Sequence, residues 1–214
     1  MSVSAIIAVF AVIGGLMGLG ADRLAVAWLG HLGNGVRRGI DWRTVVLVVV
    51  GSTMAVGIVA RYPYRWDVFY LCAFSTALLV LLATDLEKKI LPDVITIPLI
   101  GATAGLLVFN SNPLLFDEQL GLLSGVAAGI GTPAFLFASD RILQGDLGDG
   151  DLKLAVSVGL LCGVTSLIGG LLVASVGFAA VLIGLIAVGR IGMRTAIPFG
   201  PVLIFAAFVA ILIG

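Results

Sequence analysis

Gly148-Asp149-Gly150-Asp151-Leu152-Lys153-Leu154 opens an apolar run in a chain that is otherwise strongly hydrophobic. Ionisable groups at a bilayer cost several kcal/mol on most scales, so where they occur they are usually functional. Working outward from this patch, the 214 residues are 60% hydrophobic and 11% charged, against about 25% charged in soluble domains. A spanning helix takes roughly 20 apolar residues, so the length holds about seven or eight spans and little else. The expected fold is therefore all-α: a polytopic integral membrane protein of about eight transmembrane helices, with residues 1–214 forming a single membrane domain.

The formal net charge is zero, which gives no electrostatic reason to expect a nucleic-acid partner. Cys72 and Cys162 each lie inside an apolar run. Two such cysteines make neither a disulfide framework nor a four-ligand zinc site, and they read as small buried hydrophobes. His31, in a polar loop with no second ligand nearby, reads as solvated.

The first apolar run covers residues 4–20, with its basic residues after it rather than before it. That order suits a retained helix rather than a secretory signal. A polar loop, Ala21 to Arg43, follows with Arg23, Arg37 and Arg38 and a Gly33-Asn34-Gly35 turn signal. Trp28 and Trp42 suit the membrane interface. The second span covers Thr44–Ala60 and the third Asp67–Ala83, joined by a turn at Arg61–Trp66. The first acidic patch runs from Asp85 to Asp93, broken by Pro92, which lacks an N–H and disfavours helix just before it. The fourth span covers Val94–Val108. The fifth covers Leu120–Ala138, with a kink expected at Pro133. The Ser139–Gly150 loop leads into the second acidic patch. The sixth span starts near Asp151 and turns at Cys162–Ser166, and the seventh covers Leu167–Val188. The last opens on Ile197-Pro198-Phe199-Gly200-Pro201. Gly14, Gly15, Gly125, Gly129, Gly169 and Gly170 read as positions of close helix approach.

Eight spans leave seven loops, and ten of the 12 Lys and Arg residues fall in the odd-numbered ones. Short loops rich in Lys and Arg stay cytoplasmic. Both termini are then extracytoplasmic, and the Asp85 and Asp151 patches share the cytoplasmic face.

Two converging carboxylates share a proton, because both cannot easily ionise. One can then take a proton from water while the other hydrogen-bonds the scissile carbonyl, as in aspartic proteases. Gly148 and Gly150 clear side chains from beside Asp151 and permit positive φ. Asp151 would lie near a helix start, which favours its charged form, and Lys153 offsets part of the acidic charge. Asp146-Leu147-Gly148-Asp149-Gly150-Asp151 also has oxygen ligands at alternating positions, as calcium loops do, but lacks the distal glutamate.

Residues 148–154 resemble the G-x-G-D-x-K-L segment of the type IV prepilin leader peptidases. Asp85 with Pro92-Asp93 and Ile95-Thr96-Ile97-Pro98-Leu99 is similar to that family's other signature, and residues 197–201 to its last-helix opening. The resemblance covers 66–214 as the peptidase core. It implies a bacterial inner-membrane aspartic endopeptidase that removes the leader from type IV prepilins or pseudopilins at the cytoplasmic face. Asp85 and Asp151 match the catalytic pair. Gly148, Asp149, Gly150, Lys153, Pro92 and Asp93 match motif or supporting positions. The resemblance implies no cofactor for proteolysis and gives no substrate-side residues and no oligomeric state. Many members carry two Cys-x-x-Cys pairs between the first two helices and methylate the product with S-adenosylmethionine. Here the short cytoplasmic loop 21–43, without cysteine, stands in that place. Zinc is not expected, and methylation of the product is left open. Two rival readings are a transporter with proton-carrying aspartates and a magnesium-dependent phosphotransferase. The first wants charges deep within spans, whereas the acidic residues here fall in loops or at span edges, with Asp67 at a span end. The second wants more carboxylates on facing helices.

Overall fold

The computed structural model describes residues 3–30, 39–115, 120–143, 147–187 and 199–213. His31, the Gly33-Asn34-Gly35 turn, Arg37, Arg38, Asp146, Arg190, Arg194 and Ile197-Pro198 lie outside the described residues. The described residues form seven helices and no strand: α1 Val3–Gly30, α2 Trp42–Arg61, α3 Arg65–Lys88, α4 Asp93–Val108, α5 Gly121–Leu143, α6 Asp149–Ala187 and α7 Gly200–Ile213. Five stretches are long and apolar enough to cross a membrane: Ser4–Trp28, Trp42–Arg61, Trp66–Lys88, Gly121–Ile142 and Asp149–Gly184. Asp93–Val108 and Gly200–Ile213 are shorter apolar helices. Trp28, Trp42 and Trp66 are exposed near helix ends, where indole rings favour the lipid–water boundary. This is an all-α, polytopic membrane protein.

The chain divides into two compact units, Met1–Ile95 and Thr96–Gly214. In the first, α1, α2 and α3 pack on one another. Small residues set how close α1 and α2 come. A Cβ on Gly14 would strike the Gly51 carbonyl, and one on Gly18 the Leu47 carbonyl. Without a hydrophobic drive between helices in lipid, such backbone approach supplies the packing energy. Leu47 and Ile58 of α2 and Leu71, Phe74 and Leu78 of α3 are fully buried.

The first helix differs from expectation. It continues to Gly30, so residues 21–30 of the anticipated loop are helical, with Ala21, Asp22 and Ala25 buried. The polar residue that suggested a loop is accommodated by a partner. Thr44 Oγ1 donates to Asp22 Oδ2 at 2.9 Å.

In the second unit α6 packs against α5 and α7. Cβ atoms on Gly159 and Gly170 would strike the carbonyls of Ala128 and Ala206, and one on Gly129 the side chain of Leu160. Among the described residues nothing lies within 4 Å of a Cβ added at Gly169, so the close approach expected there is not seen among them. α5 runs through Pro133 to Leu143, five residues past its expected end. α6 is broken at Gly163, with φ 67° and ψ −178°, inside the turn anticipated at Cys162–Ser166. Only glycine adopts that backbone readily. A Cβ there would also meet Leu115 Cδ2 at 2.6 Å and Ser124 Oγ at 2.7 Å.

Candidate active site

Asp85 lies in the last turn of α3 and is buried, 4% exposed. Thr84 beside it is also buried, its hydroxyl donating to the Leu81 carbonyl at 2.9 Å. The helix stops just beyond. Lys89 takes a left-handed conformation, φ 54° and ψ 42°, and its N–H donates to the Asp85 carbonyl at 2.8 Å. A left-handed residue is the usual end of a helix, and a proline soon after prevents its resumption. Pro92 fills that role here, and its carbonyl accepts from the Ile95 N–H at 3.0 Å as α4 begins. Asp93 sits in the first turn of α4, exposed.

Two residues past Asp85, Glu87 accepts from Arg43 Nη1 at 2.6 Å. Arg43 belongs to the first turn of α2, and its guanidinium also lies 5.6 Å from the Trp42 ring centroid. With the Asp22–Thr44 bond, the C-terminal part of α1, the start of α2 and the end of α3 are held together by polar side chains. Sequence reasoning assigned none of these four residues a role. The relevant signal was an acid and a hydroxyl at the edges of consecutive apolar runs.

In the second unit the glycine-rich motif starts α6. Gly148 lies just outside the helix, Asp149 and Asp151 are in its first turn, and the Asp151 N–H donates to the Gly148 carbonyl at 3.0 Å. Both carboxylates thus lie at the N-terminal end of α6, the end whose free N–H groups attract negative charge. Asp149 is exposed, while Asp151 and Lys153 are half-buried. Among the described residues beyond its chain neighbours, a Cβ on Gly148 would meet only Asp151 Oδ2, at 3.9 Å. Among the described residues, Gly148 thus leaves room beside the Asp151 carboxylate. The other role expected of the glycines is not realised. Among the described residues positive φ occurs only at Lys89, Asn110 and Gly163, and Gly150 is an ordinary helical residue.

Leu147, just before the motif, is held by a residue first read as loop. Asp140, still helical near the end of α5, accepts from the Leu147 N–H at 2.9 Å. Asp85, Pro92 and Asp93 thus belong to the first unit, and Gly148 through Lys153 to the second. Cys72 is half-buried and Cys162 buried, each within a helix. Among the described residues no three His, Cys, Asp or Glu side chains are grouped as metal ligands.

A polytopic helical membrane protein with an acidic, glycine-flanked helix start defines the class, and sequence comparison gives the family. The profile of the type IV leader peptidase family matches residues 72–214, and the chain belongs to that family of proteases. Among curated proteins it is similar to a prepilin leader peptidase/N-methyltransferase of Xanthomonas campestris pv. campestris, with 32% identity over 76% of this chain and 56% of the relative. It is similar to one of Pseudomonas putida, at 34% over 78% of this chain and 58% of the relative. A third, of Aeromonas hydrophila, is 30% identical over 89% of this chain and 65% of the relative. The chain thus spans a little over half to about two thirds of the length of these relatives. No solved structure matches it significantly.

Proposed function

We propose that this chain is an aspartic endopeptidase that removes the leader from type IV prepilins or pseudopilins, with Asp85 and Asp151 as the catalytic pair. The family match over residues 72–214, which includes both aspartates, carries the reading. The room that Gly148 leaves beside Asp151 Oδ2 among the described residues supports it, since a scissile peptide must approach that carboxylate closely.

In the proposed reaction one aspartate is ionised and the other protonated, as a coupled pair shares one proton. The ionised carboxylate takes a proton from water as the water oxygen attacks the scissile carbonyl carbon. The protonated carboxyl hydrogen-bonds the carbonyl oxygen and passes its proton to it. In the resulting gem-diol, a proton moves to the leaving nitrogen and the C–N bond breaks. No cofactor enters these steps.

The same reading puts the enzyme in the bacterial inner membrane, as a multi-pass protein with its site on the cytoplasmic side. Support comes from the ten of 12 basic residues in odd-numbered loops, with α6 counted as two spans meeting at Gly163. The partners are the prepilin and the bilayer. Asp93, Asp149 and Lys153 flank the pair in supporting roles. The names of the longer relatives pair peptidase with N-methyltransferase. Methylation is a separate outcome here, read from product mass.

The test is co-expression with a prepilin from the same genome, following loss of the leader by mass. Wild type is expected to release the leader, and a further 14 Da on the product (roughly one methyl group) would report methylation. An uncleaved precursor beside abundant membrane-inserted enzyme, for every prepilin of that genome, overturns the reading.

A further inference from the structure

Breaking a helix inside a membrane frees backbone groups that lipid cannot satisfy, so a stable break needs partners supplied by neighbours. The break at Gly163 has them. An unbroken helix would pair the Leu160 carbonyl with the N–H of residue 164 and the Leu161 carbonyl with that of residue 165. Instead Asn112 Nδ2 donates to the Leu160 carbonyl at 3.1 Å and to the Leu161 carbonyl at 3.0 Å. The Val164 N–H donates to Ser124 Oγ at 3.0 Å.

Asn112 is itself fixed. It is 3% exposed, and its Oδ1 accepts from the Leu114 N–H at 3.0 Å. That is the local bond by which asparagine holds a turn. The same turn brings Leu115 against Gly163, where a Cβ would not fit. One buried amide thus caps the carbonyl side of the break, one hydroxyl caps the N–H side, and a leucine closes the space around the glycine.

We propose that Asn112 and Ser124 are positioning residues for Asp151, acting through the bend at Gly163; this rests on the peptidase reading above. The first half of α6 is a helical arm packed on α5, with Asp151 in its first turn. Gly163 lies twelve positions after Asp151, about 18 Å of helix at 1.5 Å per residue. A change of roughly 10° at the bend would move Asp151 by about 3 Å over that length. Displacement of a reacting group by about 1 Å can cost on the order of 100-fold in rate. A bend held by three hydrogen bonds therefore controls the chemistry from the far end of the helix.

Ser124→Ala removes the hydroxyl, Ser124→Thr retains it, and Asn112→Ala removes the amide. Cleavage rates are normalised to folded enzyme in the membrane. The expectation is a fall in kcat of roughly 10- to 100-fold for the two alanine variants, with KM within about twofold. Ser124→Thr should recover most of the rate. Loss of folded protein alone would lower yield without splitting kcat from KM. Unchanged kcat per folded molecule in Ser124→Ala, the milder variant, overturns the proposal.

A second measurement does not depend on activity. Spin labels at Asp149→Cys and Val176→Cys, both exposed positions on either side of the break, report the bend in a Cys72→Ser background. The distance between them should shift or broaden by several Å in Asn112→Ala and Ser124→Ala. An unchanged distribution overturns the proposal even if wild type cleaves no prepilin. A shifted one beside an inactive wild type sustains the bend and removes the peptidase reading instead.

Discussion

Thr44→Val tests whether the polar clasp in the first unit holds its helices in place. Thr44 is 2% exposed and Asp22 7%. The hydroxyl donates to Asp22 Oδ2 at 2.9 Å and accepts from the Asp41 N–H at 3.4 Å, within a capping box at the start of α2. Valine matches threonine in shape and deletes both bonds. A hydrogen bond to a charged group contributes about 1.5–3 kcal/mol, and orphaning a buried acceptor adds to the loss. Losing part of the cap costs about 1 kcal/mol. Interhelical hydrogen bonds within lipid average only about 0.6 kcal/mol, because the unfolded chain in the membrane finds other partners. With the lipid average as the lower figure and the charged-acceptor value as the upper, the lost bond and the weakened cap together give an expected total of about 1.5–3 kcal/mol. Thr44→Ser keeps both bonds and should stay within about 1 kcal/mol of wild type. Reversible denaturation in bicelles gives the stabilities. A double-mutant cycle with Asp22→Ala, which removes the acceptor, isolates the pair. Thr44→Val as stable as wild type, or Thr44→Ser as damaging as valine, would refute the reasoning.

Three further outcomes follow from the same geometry. Gly14→Leu should destabilise the first unit by about 1–3 kcal/mol, the range for overpacking, because its Cβ would meet the Gly51 carbonyl backbone; denaturation in bicelles measures it, and Gly169→Leu, placed in open space, is the neutral control. Breaking the Arg43–Glu87 pair, whose side chains are 24% and 25% exposed, should cost at most about 1 kcal/mol and less in high salt, as a salt series on Glu87→Gln would show. Gly148→Ala should fold normally, since its Cβ meets only Asp151 Oδ2 at 3.9 Å. It should slow prepilin cleavage if that space admits the substrate backbone, which initial rates report.

The apolar runs were legible because a bilayer demands long uninterrupted stretches, and the turn around Gly163 because helices in so oily a chain have few other places to fold back. The end of α1 was not. Asp22 and Arg23 look like a loop when each charge is weighed alone, yet Ala21, Asp22 and Ala25 are buried while Arg23 and Leu24 face outward. The deciding partner, Thr44, is 22 residues away, and no local pattern reveals it. The end of α5 was misplaced for a similar reason: Asp140 is helical and reaches forward to the Leu147 N–H. In the glycine-rich motif one expected physical role, a positive φ, is not realised among the described residues. Gly148 leaves room beside Asp151 without an unusual backbone angle, which falls instead at Gly163. Asn112 went unnoticed as a loop residue, although Asn112-Pro113 is a recognised turn signal. Its amide finds the α6 carbonyls only through tertiary packing.

The central claim is that two aspartates act as one unit. Asp85→Asn, Asp151→Asn and the double variant can be compared in the prepilin cleavage assay, normalised to enzyme inserted in the membrane. Residues that act as a unit are strongly non-additive. Each single variant is therefore expected to lose about as much rate as the double, down to a common residual level. Substantial cleavage retained by either single variant, or losses that multiply in the double, would contradict the pair and make Asp149 the next residue to replace.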